Sequence, residues 1–139
     1  MAKLKLSSCD EWWSLYIRAR DCDESGMGRC CSCSKGVFWK DADAGHFISR
    51  RHRATRYNEK NVHLQCRACN RFDDGNPAGY ALFLMRVYGN DDYYDERVII
   101  DLRVLSRGST RWTQFEINSM RDDFKIKAKQ LAKEKGLIL

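Results

Sequence analysis

Proline is nearly missing from this chain: one residue, Pro77, in 139. There is no low-complexity tract, internal repeat or long linker, which argues for one domain over a string of modules. No apolar run approaches the roughly 20 residues that span a bilayer, so no membrane-spanning helix is expected, and no membrane partner. The opening "MAKLKLSSC" has neither an apolar h-region nor a small-residue cleavage site, so a cytoplasmic protein is expected rather than a secreted one. Acidic residues are in deficit as well. Lysine plus arginine total 25 against 19 acids, for a net charge of +6. That moderate excess suits a polyanionic partner.

Cysteine, by contrast, is plentiful, at seven residues. In a cytosolic chain this favours metal ligation or free thiols over disulfides. The length suffices for a domain burying roughly two-thirds of its unfolded surface.

Helical signals flank a cysteine-rich centre. In "SSCDEWWSLYIRARD", Ser8 and Glu11 have capping-box spacing, and Trp12, Leu15, Tyr16 and Ala19 repeat at helical intervals. "DESGMGR" interrupts this helix. In "GNPAGYALFLMRVYG", Asn76 suits a cap, Pro77 the first turn and Gly89 the end, with Tyr80, Phe83, Leu84, Val87 and Tyr88 as the apolar stripe. "DDYYDERVIIDLRVLSRG" is ambiguous; Val98, Leu102 and Leu105 favour a helix. Thr113 and Glu116 have capping-box spacing before a last helix with Ile117, Met120, Phe124, Ala128 and Leu131 on one face and Gly136 at its end. The expected organisation is a single domain over 1–139: an N-terminal helix within 1–29, a metal centre at 30–76 and helices over 77–139.

Cys30-x-x-Cys33 and Cys66-x-x-Cys69 are the strongest motif. Two such pairs supply four thiolates in two tight turns, as tetrahedral zinc requires. The alternative is a set of buried or redox-active thiols. Cys30 is a better ligand than Cys31, which would need a C-x-C turn. Cys9, Cys22 and Cys31 are expected to be free. A four-cysteine zinc has no open position, so it is structural, and any chemistry belongs to the residues it positions.

The loop between the pairs is 32 residues long and contains "DAGHFISRRHRATR", with His46 and a run of arginines. Asn61 precedes the second pair and Asn70 follows it directly in "CRACN". The order His46, Asn61, Cys-x-x-Cys-Asn70 resembles the HNH nuclease superfamily, whose centre is a β-hairpin and a helix around one catalytic metal. The stretch "CCSC…DAGHFISRRHRATRYNEKNVHLQCRACNRFDDGNPAGY" resembles more closely the lambdoid-phage NinG family, also called Rap. The likeness is strong over the centre and weaker over the flanking helices.

The resemblance implies an α+β, mainly helical fold around a zinc-stabilised ββα-metal core. It implies a phage or prophage protein that cleaves branched recombination intermediates, including Holliday junctions. His46 takes the position of the general base, Asn70 that of a ligand to a catalytic Mg²⁺ or Mn²⁺, and Asn61 that of the asparagine that holds the loop and orients the base. Imidazole suits the base role, since its ordinary pKa lies near 6.5. Where many relatives carry an acidic residue or a histidine, Gly45 can ligate nothing. Asp43 is the nearest carboxylate, with Asp73 or Asp74 further along. Arg50, Arg51, Arg53 and Arg56 match phosphate oxygens with their forked donors and are expected on DNA. His63 is expected to be a satisfied structural histidine, and Phe38 and Trp39 to pack around the knuckle. Two cuts per junction imply a homodimer. The competing readings are a less selective HNH nicking enzyme and a non-catalytic zinc-ribbon module that binds nucleic acid.

Overall fold

The computed structural model describes residues 3–89 and 94–139; of the ambiguous segment, residues 91–93 lie outside the described residues. The fold is mixed α/β and mainly helical. Helix α1 (Ser7–Arg20) is followed by strands β1 (Met27–Arg29) and β2 (Gly36–Phe38), a short turn of 3-10 helix, and strand β3 (Ala42–His46). Then come a one-turn helix α2 (Arg53–Arg56), strand β4 (Val62–Cys66), a five-residue π-helical turn (Ala68–Phe72), and helices α3 (Pro77–Val87), α4 (Arg97–Ser106) and α5 (Gln114–Lys135). The strands form two antiparallel hairpins, β1–β2 and β3–β4.

Local signals account for much of this. Asn76 caps α3 by accepting from the Gly79 amide, with Pro77 in the first turn. Thr113 and Glu116 form the reciprocal capping box of α5, and Gly136 ends it at φ 70°. The ambiguous segment is helical over its described part, with Val98 and Leu102 buried and Leu105 exposed.

Helix α1 departs from expectation. It begins at Ser7 after Leu6, with no side-chain cap, so the Ser8–Glu11 box does not form. The chain before it is tied to α5 instead. The Lys5 amide donates to Gln114 Oε1 at 2.9 Å, and Gln114 Nε2 donates back to the Lys5 carbonyl at 3.1 Å. The helix is thus started by a tertiary contact. Its buried line is Cys9, Trp13 and Ile17, with Trp12 and Tyr16 half-buried beside it.

Hairpin β3–β4 is the centre, and every residue of β4 is buried. On one side Val62 joins Cys9, Trp13, Ile17, Ile117 and Phe124 in a core between the hairpin, α1 and α5. On the other, Ile48 and Cys31 pack with Tyr80, Leu84, Val98 and Leu102 of α3 and α4. Helix α3 lies tight against the first cysteine pair. A Cβ at Gly79 would stand 2.1 Å from the Ser32 carbonyl oxygen, so only glycine permits that approach.

His63 is buried in this second layer, as a structural histidine should be. Its Nδ1 is 3.2 Å from the Tyr80 hydroxyl and its Nε2 is 2.8 Å from that of Tyr88. The Tyr80 proton goes to the Gly45 carbonyl at 2.7 Å, so His63 Nδ1–H donates to Tyr80 and Nε2 accepts from Tyr88. This network wants a neutral ring. Burial, helped by the charge of Arg20, pushes the imidazole down to about 4. Between about 4 and the ordinary 6.5 the unfolded chain binds a proton that the folded chain refuses, so this histidine costs nothing above pH 6.5 and destabilises progressively as pH falls. The loss is up to ~3 kcal/mol by pH 4. Urea unfolding at pH 7 and pH 4.5 should show a smaller acid loss for His63→Gln than for wild type. Parallel losses would assign the acid sensitivity to other groups.

Candidate functional site

The four motif cysteines converge. The Sγ atoms of Cys30, Cys33, Cys66 and Cys69 all lie within 4.8 Å of one another, and the Cys33–Cys66 pair is 3.8 Å apart. A zinc tetrahedron with bonds near 2.3 Å has an S···S edge of about 3.8 Å. The first pair sits in the turn of the β1–β2 hairpin, the second at the end of β4. The Ser32 amide donates to Cys30 Sγ and the Cys69 amide to Cys66 Sγ, each at 3.4 Å, while Asn76 Nδ2 donates to Cys69 Sγ at 3.5 Å. Donors aimed at sulfur stabilise thiolates. Burial opposes this and pushes the Cys33 and Cys69 thiols up. Four thiolates together therefore need a cation, and the donor set fits structural zinc. Cys31 is not a ligand; it packs with Ile48 and Tyr80 in the core.

Beside this centre, a polar cavity of about 440 Å³ lies between α1, β3 and the π-helical turn. It is lined by Asp43, His46, Asn70 and Arg71, with Asp10, Trp13 and Ser14 of α1, Ala44 and Arg50. His46, Asn70 and Asp43 are thus brought together from positions up to 27 residues apart. His46 Nε2 is 2.9 Å from the Arg56 carbonyl oxygen. A carbonyl only accepts, so Nε2 carries the proton and Nδ1 holds the lone pair. Burial pushes the imidazole below its ordinary 6.5, although the Arg56 carbonyl opposes this. A neutral, oriented ring follows.

Asn61 is fully buried and staples the loop that returns from His46. Its Oδ1 accepts from the Ile48 amide at 2.8 Å; its Nδ2 donates to the carbonyls of Ile48 and Thr55, both at 3.0 Å. Its side chain makes no hydrogen bond to His46; it holds the turn whose Arg56 carbonyl does.

Asp43 accepts from Asn70 Nδ2 at 2.9 Å and from Arg71 through both oxygens, at 2.9 and 2.8 Å. Burial alone would raise its carboxyl, but Arg71 and Asn70 outweigh burial and hold it below the usual carboxylate range. Asp73 and Asp74 do not line the cavity. The expected helix after the second knuckle is only the π-helical turn, which ends at Phe72, and Asp74 (φ 47°), Gly75 (φ 81°) and Asn76 (φ 41°) then turn the chain into α3.

The arginines divide. Arg50, Arg51 and Arg53 are exposed. Arg56 is not available in the same way. It grips Asp10 of α1 with bonds of 3.0 and 2.6 Å and donates to the Arg50 carbonyl at 2.9 Å, while the Tyr57 hydroxyl donates to Asp10 at 2.7 Å. Asp10, Tyr57 and Arg71 are site residues that sequence reasoning missed. Asp10 looks like an ordinary first-turn helix acid, and no local signal marks its partner 46 residues away. Trp39 is buried as expected, against Ala19, Ala42 and Leu64, whereas Phe38 is partly exposed.

The glycine before His46 has a packing cause. A Cβ at Gly45 would stand 1.9 Å from Gln65 Oε1. Gln65 is fully buried and cannot swing aside, because its Nε2 donates to Ser32 Oγ at 2.8 Å and to the Gly75 carbonyl at 2.7 Å. Gly45→Asp, which would restore an acidic neighbour, is expected to lower stability by roughly 1–3 kcal/mol through overpacking. Thermal unfolding checks this; an unchanged melting temperature would mean that Gln65 yields easily.

No helix among the described residues is long and apolar enough to cross a membrane. A family model described as "Bacteriophage Lambda NinG protein" matches residues 8–134. Among curated relatives, "Protein ninG" of Escherichia phage lambda is 29% identical over 119 residues, covering 84% of this chain and 52% of the relative. "Protein ninG" of Escherichia phage 933W and of Salmonella phage P22 match with the same identity and coverage. The chain thus spans about half the length of the curated relatives it matches, and no solved structure matches it. With the match running from the start of α1 almost to the end of α5, the chain belongs to the bacteriophage NinG family.

Proposed function

We propose that this chain is an HNH-type, metal-dependent DNA endonuclease that cuts branched recombination intermediates. One observation carries the reading: an imidazole with its Nε2 proton locked on a carbonyl and its Nδ1 lone pair left as a base shares one cavity with Asp43 and Asn70. Phosphodiester hydrolysis needs a group to take the proton from water and a cation to stabilise the leaving oxygen. His46 Nδ1 takes the proton, and Asn61 keeps the ring oriented through the turn it staples.

Asp43 and Asn70 present adjacent oxygen-bearing side chains. Such a pair fits Mg²⁺ or Mn²⁺, which keep water and phosphate oxygens for the rest of their shell. When bound there, the ion supplies stabilisation of the leaving 3′ oxygen, and the products are 5′-phosphate and 3′-hydroxyl ends. Arg71 must first release Asp43; its side chain is half exposed, so the move is cheap. Arg50, Arg51 and Arg53 hold the DNA backbone against His46. A junction needs two cuts, so the working unit is a homodimer.

The test is labelled four-way junction and matched linear duplex, each with Mg²⁺, Mn²⁺ or no added divalent ion, with the zinc left in place. Paired cuts near the crossover, dependent on the divalent ion, support the reading. Equal cutting of linear duplex supports the less selective nicking enzyme, and binding without product supports a zinc-ribbon binding module.

A further inference from the structure

Phe72 is the most exposed large apolar side chain among the described residues, at 86% of its full accessibility. It ends the π-helical turn that carries Asn70 and Arg71 into the cavity. With 3.8 Å between successive Cα atoms, its Cα lies within about 7.6 Å of that of Asn70. The turn is tied down at both ends. Cys66 and Cys69 anchor it before, and the Gly75 amide donates to the Cys69 carbonyl at 2.9 Å after it. The backbone that presents the ring is thus fixed, while the ring itself stands in water.

Its surroundings select an occupant. Arg71 precedes Phe72 and Arg67 lies at the other end of the turn, while the exposed acids Asp73 and Asp74 follow directly. The backbone of a continuous duplex laid across this turn would meet those carboxylates. The base of a splayed nucleotide is itself uncharged and can reach the ring while its phosphates stay back from the acids, and its face suits the ring. We propose that Phe72 is the specificity-determining residue that stacks on an unpaired or splayed base at a DNA branch point, next to the strand held at His46. This rests on the nuclease reading for its substrate class, but it is a statement about binding.

The experiment measures affinity without added Mg²⁺ or Mn²⁺ and without chelator, so that the full chain keeps its zinc and the proposed cleavage does not run. The probes are a four-way junction and a matched linear duplex; the variants are wild type, Phe72→Ala and Phe72→Trp, with zinc content and melting temperature as folding controls. Phe72→Ala should bind the junction about 5- to 150-fold more weakly, the range expected for one lost base stack. Its affinity for linear duplex should change less than about twofold, and Phe72→Trp should restore junction binding. Equal loss on both DNAs, no loss on either, or a change only in oligomeric state in Phe72→Ala would overturn the proposal. Junction-selective loss from a protein that never cleaves with Mg²⁺ or Mn²⁺ would sink the nuclease reading and leave the stacking assignment standing. A wild type that binds neither DNA ends both.

Discussion

Cys33→Ser is expected to lose the zinc and with it the cooperative unfolding of the central region. Cys33 is the exposed member of the four, so the substitution removes a ligand without opening a hole in the core. The region around it has little else to hold it. Strands β1 and β2 are three residues each and are mostly exposed. Zinc binding in small four-ligand peptides contributes about 10–16 kcal/mol, which matches or exceeds the 5–15 kcal/mol total stability of an ordinary domain. Without the metal, burial pushes the Cys33 and Cys69 thiols up, and the β1–β2 hairpin and the π-helical turn lose their common anchor. Wild type should carry one zinc per chain by elemental analysis. Cys33→Ser, or wild type stripped with a chelator, should carry none and melt far lower or without a cooperative transition. Cys31→Ser should keep its zinc, because Cys31 belongs to the apolar core beside α3. A metal-free purified protein with unchanged melting would refute the zinc assignment.

His46→Ala should lower divalent-dependent cleavage by about 10²–10⁴-fold, the usual contribution of a positioned general base. DNA affinity should stay within about threefold, because Arg50, Arg51 and Arg53 are untouched. The pH profile separates this role from a structural one. A base works when neutral, and burial sets the His46 pKa below 6.5. The rate of the wild type should therefore be flat from pH 6.5 upward and fall as pH drops below it. Residual cleavage in His46→Ala should lack that acid limb. Full activity in His46→Ala, or loss of binding with it, would remove His46 from the chemistry.

The cleft geometry explains why resemblance alone left the arginine run unsorted. All four guanidiniums look equivalent in "SRRHRATR". Only the folded chain separates Arg56, whose fork is taken by Asp10, from Arg50, Arg51 and Arg53. The same holds for Gly45. In the sequence it is a missing ligand; in the structure it is the space that Gln65 occupies.

Features written within a few residues could be read from the chain alone. The two C-x-x-C turns, the Asn76–Pro77 start of α3, the Thr113–Glu116 box, the Gly136 stop and the helical spacing of Val98 and Leu102 each depend on neighbours one to four positions away. Local geometry leaves them few alternatives. Other features waited on packing, because their partners lie tens of residues away. These are the start and buried line of α1, set by Gln114 and α5; the tautomer of His46, set by the Arg56 carbonyl; the diversion of Arg56 to Asp10; and the neutral state of His63 between two tyrosines. Long-range pairs carry no periodicity, and burial, which sets their charge states, exists only once the chain has packed.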